Sequence, residues 1–326
     1  MITLSKLAKL AHVSVSTASK AFTMSNEVNE QTREEIFKVA KELGCFRKFY
    51  NAKYPKYMIA VICPELKSLH YSFALSTLQE NLSIQNCEIC VATTNFSLET
   101  EKLLLEYYHY HTNVDAIVVI QGKLPLTDSY EVPIIAVDST CPQPNIVSIR
   151  PDYEASVAKV IEHFAKHGIT NIGYLGETKS LGREIMFKEI MTKKLGGYNE
   201  NHIIVSDQRF QKGGYAAMEE LLKQKELPRA LICAYDYFAI GAIRCILDHG
   251  MSVPEDFLVI GFDDLPEAKY LNPPLSSISP LHEEVYKTAA NSIVKLINNE
   301  MIDMDITIGS KLYLRESSKI EDRKKR

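Results

Sequence analysis

Tryptophan is absent from the 326 residues, so any stacking against a ligand ring falls to Tyr, Phe or His. Long apolar runs are absent too. The longest, Met58–Cys63, Ala116–Ile120 and Val132–Val137, are strand-sized, far short of the ~18 residues that read as a membrane span. The opening Met1-Ile2-Thr3-Leu4-Ser5-Lys6 lacks the basic stretch and apolar run of a secretory signal, which predicts an intracellular, cytoplasmic chain without a membrane partner. The seven cysteines are odd in number and scattered, which argues against a disulfide framework and for a reducing compartment. Cys87-Glu88-Ile89-Cys90 has the spacing of half a zinc site, but no second such pair completes four ligands. A strand is the better reading, since residues three apart in a strand point to opposite faces, and no metal is expected. Phosphate loops of the forms G-x-G-x-x-G and G-x-x-x-x-G-K-[ST] and the G-x-S-x-G elbow are also missing, and Gly196-Gly197 and Gly213-Gly214 stand in the wrong context. The expectation is a protein with no cofactor and no catalytic residues, not an enzyme.

What is present is ordinary globular material, 46% hydrophobic and 24% charged, in a chain long enough for two or three domains because single cores stop growing near ~250–300 residues. The net charge of −4 hides an asymmetry. Residues 1–56 carry ten Lys/Arg against five Glu, a net +5, which leaves −9 on the remaining 270. A short basic head on an acidic body is the pattern of one small domain meeting a polyanion.

The head reads as three short helices. Leu4, Leu7, Ala8 and Ala11 repeat at helical spacing, Ser14 caps a second helix through Phe22, and Asn29 begins a third that places Ile36, Ala40 and Leu43 on one face and stops at Gly44. Only His12-Val13-Ser14 separates the first two, the connection of a helix-turn-helix whose second helix enters the DNA major groove. That helix offers Val15, Ser16, Thr17, Ser19 and Lys20, small polar groups plus one cation, which suit base edges and phosphates. The alternative is a helical hairpin within a larger core.

The run Thr3 to Lys20, with Val28-Asn29-Glu30-Gln31-Thr32-Arg33 and Glu42-Leu43-Gly44, closely resembles the DNA-binding head of the LacI/GalR family of bacterial transcription regulators. The resemblance implies that Val15 and Ser16 are the main base readers and Lys20 a cationic base or phosphate contact. His12 stands where the family usually has Gly, a tolerable change because His enters the left-handed region. The family's hinge, with Pro-Asn at its start and a Leu wedged into the minor groove, aligns with Arg47-Lys48 and Tyr54, leaving a Tyr to wedge or stack.

After Pro55, strand-sized apolar runs alternate with helices. Strands are expected at Met58–Cys63, Glu88–Thr93, Ala116–Ile120, Ile134–Val137, Ile172–Leu175, His202–Val205, Ala230–Cys233 and Leu258–Phe262, with helices between them and over Glu283–Asn298. Strict alternation implies parallel sheets with ligands beyond the C-terminal strand ends. The break around Ser139–Ser148 marks a passage between two lobes. This body resembles the family's effector domain, itself similar to periplasmic sugar-binding proteins. The expected fold is therefore an all-α helix-turn-helix head plus a two-lobed, periplasmic-binding-protein-like α/β domain of Rossmann-like lobes. The expected boundaries are a head over 1–46, a hinge over 47–56, an effector domain over 57–317 and a disordered tail over 318–326. Lobe 1 takes about 57–140 and 279–301, and lobe 2 about 141–278 and 302–317.

By the same resemblance, Val137-Asp138, Gly182 to Phe187, Tyr235 to Ala242 and Ile260 to Asp264 look like the family's ligand segments. Asp138, Arg183, Asp236 and Asp263 would hold the hydroxyls of a sugar, with Tyr235 and His282 flanking its ring and His70, Tyr71 and Phe73 as further stacking groups. Each has a plainer alternative. Arg183 could pair with Glu184 or Glu177, Asp236 could only cap its helix, and of Asp263-Asp264 at most one should face the cleft. The implied partners are a pseudo-palindromic operator, a small sugar and a second copy of the chain, since one head makes few phosphate contacts.

Overall fold

A computed structural model describes residues 2–50, 57–123, 130–139 and 146–320. Its backbone contacts divide the chain into two units, Met1–Tyr57 and Met58–Arg326.

The first unit is helical: α1 (Leu4–Leu10), α2 (Val15–Phe22), α3 (Glu30–Glu42) and α4 (Phe46–Phe49). Thr3, Ser14 and Asn29 cap the first three, their side-chain oxygens accepting from the amides of Lys6, Thr17 and Thr32 at 3.3, 2.9 and 2.8 Å. Each cap satisfies an amide left over at a helix start and stabilises by about 1 kcal/mol. His12 adopts φ 53° at the turn, as the imidazole tolerates. Leu7, Ala21, Phe22, Ile36 and Ala40 form the core. The fourth helix was not expected, because four residues carry no helical period. It forms by docking, with the Phe46 and Phe49 rings 6.1 and 5.7 Å from Phe22. Arg33, counted above among the basic charges, is buried and donates to the carbonyls of Ser25 and Val28 at 2.9 Å, so it fastens the loop before α3. Tyr54 and the rest of the hinge over 51–56 lie outside the described residues.

The second unit runs β1 (Tyr57–Cys63), α5 (Leu69–Ser83), β2 (Cys87–Thr93), α6 (Leu98–Tyr110), β3 (Ala116–Ile120), β4 (Ile134–Val137), β5 (Val147–Asp152) and α7 (Tyr153–Lys166). It continues with β6 (Ile172–Glu177), α8 (Leu181–Leu195), β7 (Ile203–Ser206), α9 (Phe210–Leu221), β8 (Ala230–Cys233), α10 (Asp236–Asp248) and β9 (Leu258–Phe262). It ends with β10 (Ser276–Ser279), α11 (His282–Ile297), β11 (Asp305–Gly309) and β12 (Lys311–Tyr313). One sheet has the order β11-β5-β4-β3-β1-β2 and the other β12-β10-β9-β8-β6-β7. Neighbours β1–β3, β3–β4, β6–β8 and β8–β9 are parallel, whereas β12 closes its sheet antiparallel to β10. Cys87 and Cys90 fall in β2, as a strand rather than a metal knuckle. Gly213-Gly214 are buried in α9, and an added Cβ at Gly214 would overlap the Phe238 carbonyl; these glycines let α9 and α10 pack in contact.

The lobe boundaries differ from expectation. Val147–Asp152 is a strand of the first sheet, so the chain first crosses between lobes at Asp152–Tyr153 rather than at 139–148. The segment's Arg150 and Pro151 disguise it, yet Ile149 is fully buried. The residues over 302–317 are split, since β11 pairs with β5 and β12 with β10. The chain end is also folded further than expected. Ser318 is buried and its Oγ lies 2.6 Å from Ser276 Oγ, while Ile320 packs on the core of the second lobe.

Candidate functional site

In the first unit, α2 presents Val15, Ser16 and Ser19 to solvent, with Val15 47% exposed. A β-branched apolar side chain held in water at the first turn of a helix is out of place in a folding role and suits contact with a thymine methyl. Ser14 and Thr17 are partly engaged already, their hydroxyls 2.8 Å apart in the cap. Lys20 reaches forward to Glu27, Nζ to Oε2 2.5 Å, with both side chains well exposed. A surface pair of this kind is worth about 0–1 kcal/mol, so a phosphate can displace the carboxylate.

In the second unit the ends of β1, β3, β4 and β9 converge. β3 and β4 are followed by Gln121 and Asp138 at φ 50° and 52°, and β9 by Asp263 and Asp264 at 94° and 50°. Non-glycine residues in the left-handed region carry strain and cluster at binding sites. Asp263 is the hub. Arg183 Nη2 lies 3.2 Å from its Oδ1 and His70 Nδ1 3.6 Å from the same oxygen. The guanidinium also donates to the Ala234 carbonyl at the end of β8 and lies over the Phe262 and Tyr153 rings, 4.8 and 5.1 Å from their centroids. Tyr71 donates to Gln121 Oε1 at 2.5 Å, and Gln121 Nε2 donates to Asp138 Oδ2 at 2.7 Å. His282 stands edge-on to His70, ring centroids 4.7 Å apart.

The electrostatics follow from burial and these pairings. Burial would raise the Asp263 carboxyl, but Arg183 and then His70 overturn this and hold it below the usual carboxylate range. Burial opposes the Arg183 charge, and Asp263 foremost restores it. Asp138 is raised by burial, against His70 and Gln121. His282 is pushed down to about 3 by burial and by His70 beside it. The cluster thus presents one fixed ion pair, a weaker carboxyl and two imidazoles, a mixed set of donors and acceptors for hydroxyl groups.

Tyr71, Asp138, Arg183, Asp263 and His282 are therefore brought together, and Arg183 turns inward rather than pairing with Glu184 or Glu177. Phe73 is 38% exposed and lines a recess beside Asp263 and His282. Asp264 pairs with Arg315 at 2.6 Å and lines the same recess as Asp263. Two candidates lie elsewhere. Asp236 has no exposed surface; its carboxylate accepts from Ser277 Oγ at 2.6 Å and the Leu265 amide at 2.8 Å. It fastens the loop after β9 rather than capping α10 or facing a ligand. Tyr235 donates to Glu177 at 2.7 Å and accepts from the Phe210 amide at 2.9 Å, which makes it part of a second cluster. There Arg209 joins Glu177 at 3.0 Å and Glu65 at 2.7 Å, and stacks on Phe96 at 5.0 Å. Sequence reading missed Gln121, Tyr153 and the Glu65–Arg209–Glu177 cluster. Their one local signal is position just after, or at the end of, a strand.

Residues 3–46 match the family described as bacterial regulatory proteins, lacI family, and residues 161–318 match the periplasmic binding protein-like domain. The chain is 28% identical over 351 aligned residues to the HTH-type transcriptional regulator GalR of Streptococcus thermophilus, covering 98% of this chain and 100% of that protein. It is 25% identical over 312 residues to the ribose operon repressor of Haemophilus influenzae, covering 92% and 93%. Two solved structures share the fold. The lac repressor dimer bound to operator and the anti-inducer ONPF aligns with TM-score 0.74 at 19% identity, covering 97% of this chain and 99% of that one. The CelR–cellobiose complex aligns with TM-score 0.71 at 23% identity, covering 98% and 100%.

Proposed function

This chain belongs to the lacI family of bacterial regulatory proteins, and on that premise we propose that it is a sequence-specific transcriptional repressor of a carbohydrate-utilisation operon, controlled by a small sugar bound between its lobes. The observation that carries the reading is the union, in one chain, of a self-contained helix-turn-helix unit with a two-lobed unit whose strand ends converge on Asp138, Arg183 and Asp263.

In this reading α2 enters the major groove, Val15 and Ser16 read bases, and Lys20 leaves Glu27 for a phosphate or base. Ser14, Thr17 and Ser19 supply hydroxyls, and Tyr54 contacts the minor groove. One α2 makes few contacts, so two copies act together on a pseudo-palindrome. Asp138, Arg183 and Asp263 hold sugar hydroxyls, and Tyr71 and His282 bound the ring. A relative named as a ribose operon repressor and a fold neighbour solved with cellobiose support a sugar as the small molecule. The pocket is a sensor rather than a catalytic centre, as befits relatives that are regulators. Among the described residues no helix is long and apolar enough to cross a membrane, and a role on DNA supports a cytoplasmic location.

The test is a thermal-shift screen of the purified chain against a sugar panel, followed by gel shift on genomic fragments with and without the stabilising sugar. One sugar is expected to raise Tm and to change the shifted fraction. A panel without effect on either readout would contradict the reading.

A further inference from the structure

We propose that His70, His282 and Asp263 form a binding site for one divalent first-row transition-metal cation, with ligands drawn from both lobes. One donor atom from each of the three lies within 4.8 Å of the others. Metal–nitrogen and metal–oxygen bonds of about 2.0–2.2 Å require only that the three close in modestly around an ion. Two imidazoles and one carboxylate are the ligand set that Zn2+, Fe2+ and Co2+ accept while keeping further positions open.

Three independent observations point to a ligand here. His70 is only 5% exposed, yet its Nδ1 has no hydrogen-bond partner, and His282 Nε2 is likewise buried and unpartnered. Buried polar atoms are ordinarily satisfied, and two orphans side by side mark a missing partner. Gln121 Nε2 lies 3.5 Å from His70 Nε2 and His70 Nδ1 faces Asp263 Oδ1 at 3.6 Å, beyond a hydrogen bond, so a cation entering that gap takes the place of the Nδ1 proton. Arg183 is bonded to Asp263 Oδ1 alone, which leaves the second carboxylate oxygen for an ion. Arg183, 3.2 Å from Asp263 Oδ1, opposes a second cation there, and acidic residues of the adjoining recess offset it. A recess of about 680 Å³ opens beside Asp263 and His282, its lining includes Glu80, Glu283 and Glu284, and no Lys or Arg lines it among the described residues.

The inference rests on the cleft reading above and adds to it a second ligand class. His70 on α5 and His282 on α11 belong to the first lobe, and Asp263 follows β9 in the second. A bound cation therefore bridges the lobes and presents its open positions to sugar hydroxyls, which makes sugar binding metal-dependent.

The experiment is a Co2+ titration of the chelator-treated full chain, followed by visible absorption, with sugar thermal shift run in parallel. One Co2+ per chain is expected, with affinity at least about tenfold weaker in His70→Ala, His282→Ala and Asp263→Asn. His163→Ala should leave it unchanged. That variant removes one of a helix-surface pair, His163 and His167, whose rings are 4.8 Å apart, the obvious competing site. Absence of Co2+ binding, or binding lost in His163→Ala and kept in the cleft variants, overturns the metal site. If sugar stabilisation persists in the chelated protein in that case, the cleft reading stands alone; if sugar stabilisation is absent with and without metal, the cleft reading fails as well.

Discussion

Arg209 grips Glu65 with both terminal nitrogens, Nη1 to Oε2 at 2.7 Å and Nη2 to Oε1 at 2.8 Å, across the gap between the lobes. Its Nε turns the other way to Glu177 of its own lobe at 3.0 Å. Burial opposes the Arg209 charge, but the two carboxylates outweigh it and hold the guanidinium protonated. A fork that satisfies two carboxylates at once is a geometry Lys cannot reproduce. We expect this ion pair to hold the two lobes together as a latch. Glu65→Gln is expected to weaken it by about 1 kcal/mol, the low end for charge-assisted hydrogen bonds because Arg209 is partly exposed. A double-mutant cycle with Arg209→Gln, read by sugar affinity, checks this; additive single effects would show that the latch contributes nothing.

Arg183→Ala should abolish the sugar response while leaving ligand-free operator binding nearly intact. The loss of sugar affinity should be a few kcal/mol, and Arg183→Lys should not restore it, because the fork also holds the Ala234 carbonyl and stacks on Phe262. Isothermal titration with sugar, alongside anisotropy on operator, separates the two effects.

In the head, Lys20 is held by Glu27. Glu27→Gln should release the ammonium and strengthen operator binding by a few-fold, and Lys20→Ala should weaken it and flatten the salt dependence by about one counterion. Binding isotherms at several salt concentrations measure both. Equal affinity in all three proteins would remove Lys20 from the interface.

Asp236 gives a pH test of folding. Burial foremost, then Asp263, raises its carboxyl well above the ordinary value. The fold therefore favours the protonated form, and stability from this group is present at low pH and falls as pH rises through the folded-state value. Asp236→Asn keeps an oxygen for the Leu265 amide and offers an amide to Ser277. It is expected to flatten that decline in urea denaturation and to leave the sugar response in place. Loss of the sugar response at full stability would return Asp236 to the ligand set.

The alternation of strands and helices was legible because residues such as Ile59–Cys63 and Ala116–Ile120 are buried on both faces and so read as continuous apolar runs. The strands that escaped are those without such a run. Ser276–Ser279 is three serines and one Ile, stabilised by Ser276 and Ser277 hydroxyl bonds to Arg315 and Asp236. Asp305–Gly309 alternates between exposed and half-buried positions. Asp138, Arg183 and Asp263 were legible from family-like segments at strand ends. That His70 and His282 meet at Asp263 was not, because residues so distant in the chain are joined only by the packing of α11 on α5. Asp236 misled because its position matched while its side chain turned into the core.

Whether a DNA-reading head is coupled to a sugar-sensing body is tested most directly by fluorescence anisotropy on one palindromic operator selected from genomic DNA. Affinity is expected to fall steeply with salt and to shift at least about tenfold on adding the stabilising sugar, a coupling of about 1.4 kcal/mol, with that shift lost in Arg183→Ala. Operator affinity that is flat in salt, or indifferent to every sugar that stabilises the protein, would contradict it.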